Sequence, residues 1–495
     1  MTQLSKKEVD VRINVLNSIT NTPHRNVEPL VPLHLDAENG DPLFYIKLGI
    51  WYTQHGTIKD HAKVFAAKII TSPFTEFRKV GEKLLTMMSL RETDMSVQIA
   101  EEHFKGNKSG PQRRIRKTVV KMINEMEELS QKDNGVRLLR NREIIKDLII
   151  RYHVPIKYKQ TAASLHFRVE GDAQPYNAFA ALRTIKNDNL SEAHICTLID
   201  KYRLPPTQVM GTLKELTPAI AAAMLKGMSS AETVNFMAMF ERKGLTNIKE
   251  FTDAVEKKVT KGPKSATSSM RSMKAAKALN SSEGAKTLAT ITNDFVSTLP
   301  RIKKSVVLAI DKSYSMQEAI TVGKELATIL SAVVANPKEN LNICVYNNVA
   351  SEILISEKNE YTDFEARFRY IKANGTTALG SVIKYIDAKN IHPDVIIFIG
   401  DADESDTPLL KNALAVSENV NNTQLINLKV GNKVFDLDIP TDIIAAKGLE
   451  IENMKYDGDY YSLPNILKIV TKGGIKETIA EIEAIDIEKF INSSN

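Results

Sequence analysis

The chain has 495 residues, 43% of them hydrophobic and 25% charged, which is the make-up of an ordinary globular protein. That length exceeds what one hydrophobic core usually supports, so two domains are expected. A net charge of +6, from 66 basic against 60 acidic side chains, is too dilute to name a nucleic-acid partner by itself.

No apolar run reaches the roughly 18 residues of a membrane span. The opening MTQLSKKEVDVRINVL lacks an uninterrupted apolar stretch, so no signal peptide is expected and a cytoplasmic location is. Cys196 and Cys344 stand far apart, fit a reduced compartment, and offer neither a metal spacing nor a disulfide framework.

From about residue 41 to 255 the sequence predicts amphipathic helices separated by short polar breaks. They are expected over 41–55, 61–70, 74–88, 113–129, 143–152, 192–202, 218–228 and 231–242. Helix after helix with little strand alternation suggests stacked pairs of HEAT type, although no fixed period is legible.

Two of these segments are basic. GPQRRIRKTVVK (110–121) carries five basic residues and no acid, and on a helix Arg113, Lys117 and Lys121 form one stripe opposite Ile115 and Val119. In 137–153, helical spacing puts Arg142, Lys146 and His153 near one face, with Ile145, Leu148, Ile149 and Tyr152 largely on the other. Such faces are ordinarily solvated helix surfaces. Two so close together are also what a groove for a phosphate backbone needs, and a histidine beside it can stack on an unpaired base.

Near residue 260 the composition changes. KGPKSATSSMRSMKAAKALNSSEG (261–284) is rich in Ser, Ala and Lys and reads as a linker or a solvated helix, the linker being placed at 261–300. Beyond it, buried strands are expected at 305–310, 341–346, 394–399 and 425–430, with a further one at 351–355. Helices are expected at 317–334, after Gly375, and at 408–416. This succession predicts a doubly wound, mostly parallel sheet over 301–475. The segment 474–490 reads as an acidic amphipathic helix within a tail of 476–495.

The strongest motif follows the first of these strands: Asp311-Lys312-Ser313-Tyr314-Ser315. A carboxylate and two hydroxyls on one tight loop, at the carboxyl end of a parallel strand, can converge on a hard divalent cation. Thr376 in Asn374-Gly375-Thr376 and Asp401 after DVIIFIG supply further oxygens from two other loops. The alternative is that these are ordinary strand-end residues capping the next helices. No HExxH, GxxxxGK[ST] or GxSxG is present, so no catalytic residues are proposed and the chain is read as a non-enzyme.

Residues 300 to about 472 resemble the von Willebrand factor A family, whose metal-ion-dependent adhesion site has this three-loop pattern. The resemblance implies magnesium bound directly by Ser313 and Ser315, and by Thr376 in some states, with Asp311 and Asp401 acting directly or through water. An acidic residue of a protein partner can fill the open position.

The pattern Gly110, Arg113, Arg116, Lys117, followed by Asn141, Lys146, Asp147, Leu148 and His153, resembles the RNA-contacting stretch of the Ro family. Its helical part is the TROVE domain, and LPPTQ (204–208), 216–228 and 231–245 are similar to later helices of that domain. The order TROVE then A domain also matches. The resemblance implies a helical ring over 1–260, with Arg140, Lys146 and His153 contacting RNA and Arg113, Arg116 and Lys117 nearby. Arg142-Glu143 departs from the family, which tends to have Gly-Trp there.

The expected function is that of a non-catalytic protein holding small noncoding (Y-like) or misfolded RNAs with single-stranded ends, in RNA quality control or as a ribonucleoprotein scaffold. Two alternatives stay open: a metal-dependent protein-interaction module, or a self-assembling structural protein with no specific RNA. Oligomeric state is left between monomer and higher assembly, and no membrane is implied.

Overall fold

Short polar side chains start many of the helices in the N-terminal half. Asp41 accepts from the Phe44 amide ahead of Pro42–His55, and Ser191 and Thr217 do the same for Glu192–Tyr202 and Pro218–Met224. Ser89 with Glu92, and Ser229 with Glu232, form reciprocal capping boxes before Leu90–His103 and Ser230–Arg242. The computed structural model describes residues 26–56, 58–104, 109–262, 282–297, 301–356, 361–431, 433–456 and 475–493, with scattered positions in 12–18 and 271–279.

Contacts divide the chain into two units. One comprises Arg25–Pro263, Lys274–Leu288 and Ile485–Asn495; the other comprises Met1–His24, Lys264–Met273 and Ala289–Ala484. The terminal stretches therefore group differently from sequence boundaries drawn at 260, 300 and 475. Arg12, for example, pairs with Glu483 at 2.5 Å inside the second unit.

The first unit is helical. Pro42–His55, Lys59–Ile70, Thr75–Met87 and Leu90–His103 pack on one another around Tyr45, Tyr52, Phe65 and Ile69, all fully buried. Burying each such side chain contributes roughly 1.5–3 kcal/mol. The long helix Ser109–Lys132 packs on Thr75–Met87 and on Arg142–Tyr152. Between it and Val136–Arg140 the chain turns at Gly135 with φ 83°, where a Cβ would lie 2.4 Å from that of Tyr176. A glycine is required there both by the left-handed backbone and by this approach.

Leu90–His103, Asn177–Asn187 and Lys249–Thr260 add to the spans singled out within the region read as helical, and Leu30–Gly40 precedes that region. Of the two readings left open after residue 260, linker or helix, the stretch Ser282–Ser297 is a helix, with Leu288 and Ile291 fully buried. Its many Ser, Ala and Lys residues masked two large apolar side chains three positions apart, which suffice to anchor one face.

The second unit is built on a six-stranded sheet: β1 (Val306–Asp311), β2 (Leu341–Tyr346), β3 (Ala350–Ile353), β4 (Val395–Gly400), β5 (Gln424–Val430) and β6 (Glu450–Tyr456). Their spatial order is β3-β2-β1-β4-β5-β6, all parallel except the antiparallel edge strand β3. Successive residues face opposite sides. Val306, Leu308 and Ile310 join one core with the helix Gln317–Val333, whereas Val307 and Ala309 join another with Gly380–Lys389 and Leu410–Val416.

The expected doubly wound architecture is therefore present. β6 escaped the sequence reading because its alternating EIENMKY has no continuous apolar run. The C-terminal helix expected over 474–490 is two helices, Ile475–Glu483 and Ile487–Asn492, with Asp486 capping the second through the Lys489 amide at 2.9 Å.

Candidate metal centre and nucleic-acid interface

The chain leaves β1 toward β2 on one side and returns as β4 on the other, so the carboxyl ends of β1 and β4 flank the point where strand order reverses. Open α/β sheets place ligands in that crevice. β1 ends in Asp311, fully buried, and its Oδ1 accepts from the Ser313 amide at 2.7 Å. Backbone hydrogen bonds join the loops: Lys312 N to Tyr346 O at 2.8 Å, Asn374 N to Lys312 O at 2.6 Å, and Tyr314 N to Gly375 O at 3.1 Å. Asp401, just past β4, accepts from Asp403 N at 3.1 Å and from Ser315 Oγ at 3.4 Å.

The structure thus gathers Asp311, Ser313, Ser315 and Asp401 at one sheet edge. Thr376 stands on the adjoining loop, but its hydroxyl donates to Asp406 at 2.7 Å, a carboxylate the sequence reading did not single out. Glu404, also missed, accepts from the Leu379 and Leu410 amides at 3.1 and 2.7 Å, joining two loops of the same edge. Both missed acids lie within five residues of Asp401, where a run of acids after a strand was visible but had no assigned partner.

The electrostatics favour a cation. Asp311 Oδ2 is buried and lacks a hydrogen-bond partner. Burial, with Asp401 nearby, pushes the Asp311 carboxyl up to about 7. Asp401 is raised as well, by burial and by Asp403. An orphaned carboxylate oxygen beside two hydroxyls and a second carboxylate fits a hard divalent ion of the magnesium type. Among the described residues no three His, Cys, Asp or Glu side chains gather as a metal group, so the donor set here depends on hydroxyls.

The basic residues fall into several environments on the helical unit. Arg113, Lys117 and Lys121 are exposed on Ser109–Lys132. Arg116 caps the helix Arg142–Tyr152, its Nε donating to Tyr152 O at 2.9 Å and its Nη2 to His153 O at 3.5 Å. Arg140 donates to Gly227 O at 3.1 Å and pairs with Glu232 at 3.5 Å, while Arg142 pairs with its neighbour Glu143.

Lys146 lies over the Phe167 ring, 5.9 Å from its centre. His153 ends the helix in the left-handed conformation, φ 48°. Arg142 and Lys146 stay four residues apart on this helix, whereas His153 has left it, so the face that helical spacing predicts for all three is not continued to His153.

Arg140 and Arg142 instead meet Arg183 and Lys186 in a cleft of about 580 Å³ that Thr207 and Gln208 also line. Arg183 and Lys186 are exposed on Asn177–Asn187, whose Ala178, Ala181, Leu182 and Ile185 are buried. Sequence reasoning missed both. Their signal was two basic residues three apart opposite an apolar face. Lys117 and Lys121 line a separate groove with Lys79, Lys83 and Arg114.

The two units define a class: a helical domain with basic clefts, joined to a doubly wound domain bearing an oxygen-donor crevice at its switch point. The chain shares its fold with the Ro (RSR) protein of Deinococcus radiodurans, with a TM-score of 0.57 and 12% identity over 94% of this chain and 93% of that one. It also overlaps a von Willebrand factor type A protein of Catenulispora acidiphila over 34% of this chain and 43% of that one, with 16% identity and a TM-score of 0.28. No family model matches the chain, and no curated protein does.

Proposed function

We propose that this is a non-catalytic RNA-binding protein of Ro type. It would hold small noncoding or misfolded RNAs by single-stranded ends, in RNA quality control or as a ribonucleoprotein scaffold in the cytoplasm. The observation that carries the reading is a fold shared with a Ro protein over nearly the whole of both chains. The cationic cleft of Arg140, Arg142, Arg183 and Lys186 supports it, because sequence-independent RNA affinity comes from neutralised phosphates. LPPTQ, one of the stretches that resembles the TROVE domain, supplies Thr207 and Gln208 to the same cleft.

In the second unit, Asp311, Ser313, Ser315 and Asp401 would hold a magnesium ion, joined by Thr376 once its hydroxyl turns from Asp406. The ion, when bound, supplies a positive, open coordination position. The protein's own part is to orient the oxygens and leave one side accessible. A second reading, docking of a partner's acidic side chain at this edge, is favoured by Tyr314, a large side chain 84% exposed between the two serines.

The test is purification at low salt, sequencing of any bound nucleic acid, and titration with a hairpin RNA carrying a single-stranded tail. Discrete small RNAs and binding that weakens steeply with salt are expected. Clean protein that also ignores the tailed RNA would overturn the RNA reading in favour of the partner-docking one.

A further inference from the structure

The groove lined by Lys117 and Lys121 is built from two packed helices, and Ile491 and Ser493 of the chain's own C-terminal segment also line it. Lys79 and Lys83 lie four residues apart on Thr75–Met87, and Lys117 and Lys121 four apart on Ser109–Lys132. That spacing repeats a positive charge about every 6 Å along each helix. The groove measures about 800 Å³. Its acid, Glu82, is already paired with Arg114 at 2.8 Å. Lys121 faces Glu125 at 3.8 Å, while no ion pair among the described residues engages Lys79 or Lys117.

Lys83 is different. Its ammonium donates to the carbonyl oxygens of Phe490, of Ile491 at 3.4 Å and of Ser493 at 2.5 Å, and to Ser493 Oγ at 2.7 Å. The Phe490 ring, buried on the helical unit, lies 5.0 Å from the same nitrogen. A cluster of oxygens at the carboxyl end of a helix, the negative end of its dipole, therefore surrounds one groove lysine. Chemically this is what a phosphate would offer.

We propose that the groove binds an RNA phosphate backbone between Lys79 and Lys83 on one wall and Lys117 and Lys121 on the other. The helix Ile487–Asn492 occupies one end as an internal competitor. This rests on the RNA reading above but concerns a surface and a gate outside the Arg140–Arg183 cleft. RNA entering the full groove displaces the carbonyl oxygens from Lys83 and releases the C-terminal helix.

The experiment uses the full chain, decauridylate and inorganic tripolyphosphate as probes, and a salt series. Phe490→Ala, which loosens the C-terminal helix, is expected to bind both probes several-fold more tightly. Its dependence of log affinity on log salt for decauridylate should steepen by about 0.7 for each added phosphate contact. Adding Lys79→Ala and Lys83→Ala should abolish the gain. In the unaltered chain, saturating tripolyphosphate should accelerate amide exchange across 487–493.

Equal or weaker binding by a folded Phe490→Ala would overturn the competition. Should that variant fail to fold, unchanged exchange at 487–493 in the unaltered chain with tripolyphosphate would overturn it instead. Decauridylate ignored by every variant, while tripolyphosphate behaves as described, would support the competition and sink the RNA reading.

Discussion

Gly400 closes β4 directly against Asp311. A methyl group on its Cα would lie 2.7 Å from Asp311 Cβ and 2.9 Å from Asp311 Oδ2. Asp311 is held by its pairing with Tyr346 on β2 and Gly400 by its pairing with Lys429 on β5, so neither backbone can withdraw without breaking a ladder. Gly400→Ala is therefore expected to destabilise the second unit by about 1–3 kcal/mol through overpacking. It should also displace the one carboxylate whose outer oxygen lacks a partner. Thermal melts with and without magnesium check both effects, and an unchanged melting temperature with full magnesium response would contradict the geometry.

Asp311 itself predicts a sharper result. A buried carboxylate with an unsatisfied oxygen costs stability unless a cation or proton meets it. Magnesium at a hundred times its dissociation constant should stabilise the unaltered protein by about 2.7 kcal/mol. Asp311→Asn should abolish that increment while leaving affinity for tailed RNA unchanged, as read by calorimetry and by filter binding. Loss of RNA binding in a folded Asp311→Asn protein would mean the two sites are coupled.

The cleft makes a separate prediction. Arg183 and Lys186 are exposed on a helix anchored by other residues, so removing them should not disturb folding. The double replacement Arg183→Ala, Lys186→Ala is expected to weaken RNA binding and flatten its salt dependence by about 1.4, two phosphate contacts at 0.7 each. Fluorescence anisotropy across a salt series reads this directly. Parallel lines for the two proteins would remove the cleft from the RNA path.

Arg116 behaves otherwise. Its hydrogen bonds to the Tyr152 and His153 carbonyls hold the end of Arg142–Tyr152. Arg116→Ala should cost about 1 kcal/mol of stability through the lost cap, whatever it does to RNA. Denaturant titration of the variant, run beside its RNA affinity, separates the structural part from any phosphate contact. Undiminished stability would return Arg116 to the role of an RNA ligand alone.

Local chemistry determined much of this protein from its sequence. Fully buried parallel strands must be apolar throughout, so SVVLAI and DVIIFI announced β1 and β4, and with them the loops that carry Asp311 and Asp401. Amphipathic spacing between short polar breaks announced many of the helices in the N-terminal half. Strand β6 and the helix Ser282–Ser297 were illegible because alternating or small-residue patterns are shared with loops and linkers.

Tertiary structure alone decided how side chains distant in sequence are grouped. It set Arg183 and Lys186 beside Arg140 and Arg142, turned Arg116 into a cap, and gave the Thr376 hydroxyl to Asp406. It also laid Phe490 against Lys83, some four hundred residues earlier. Periodicity reports which side of its own element a residue occupies. Which charges from different elements meet is fixed only when their apolar faces pack, because that packing supplies the free energy that holds the charges in place.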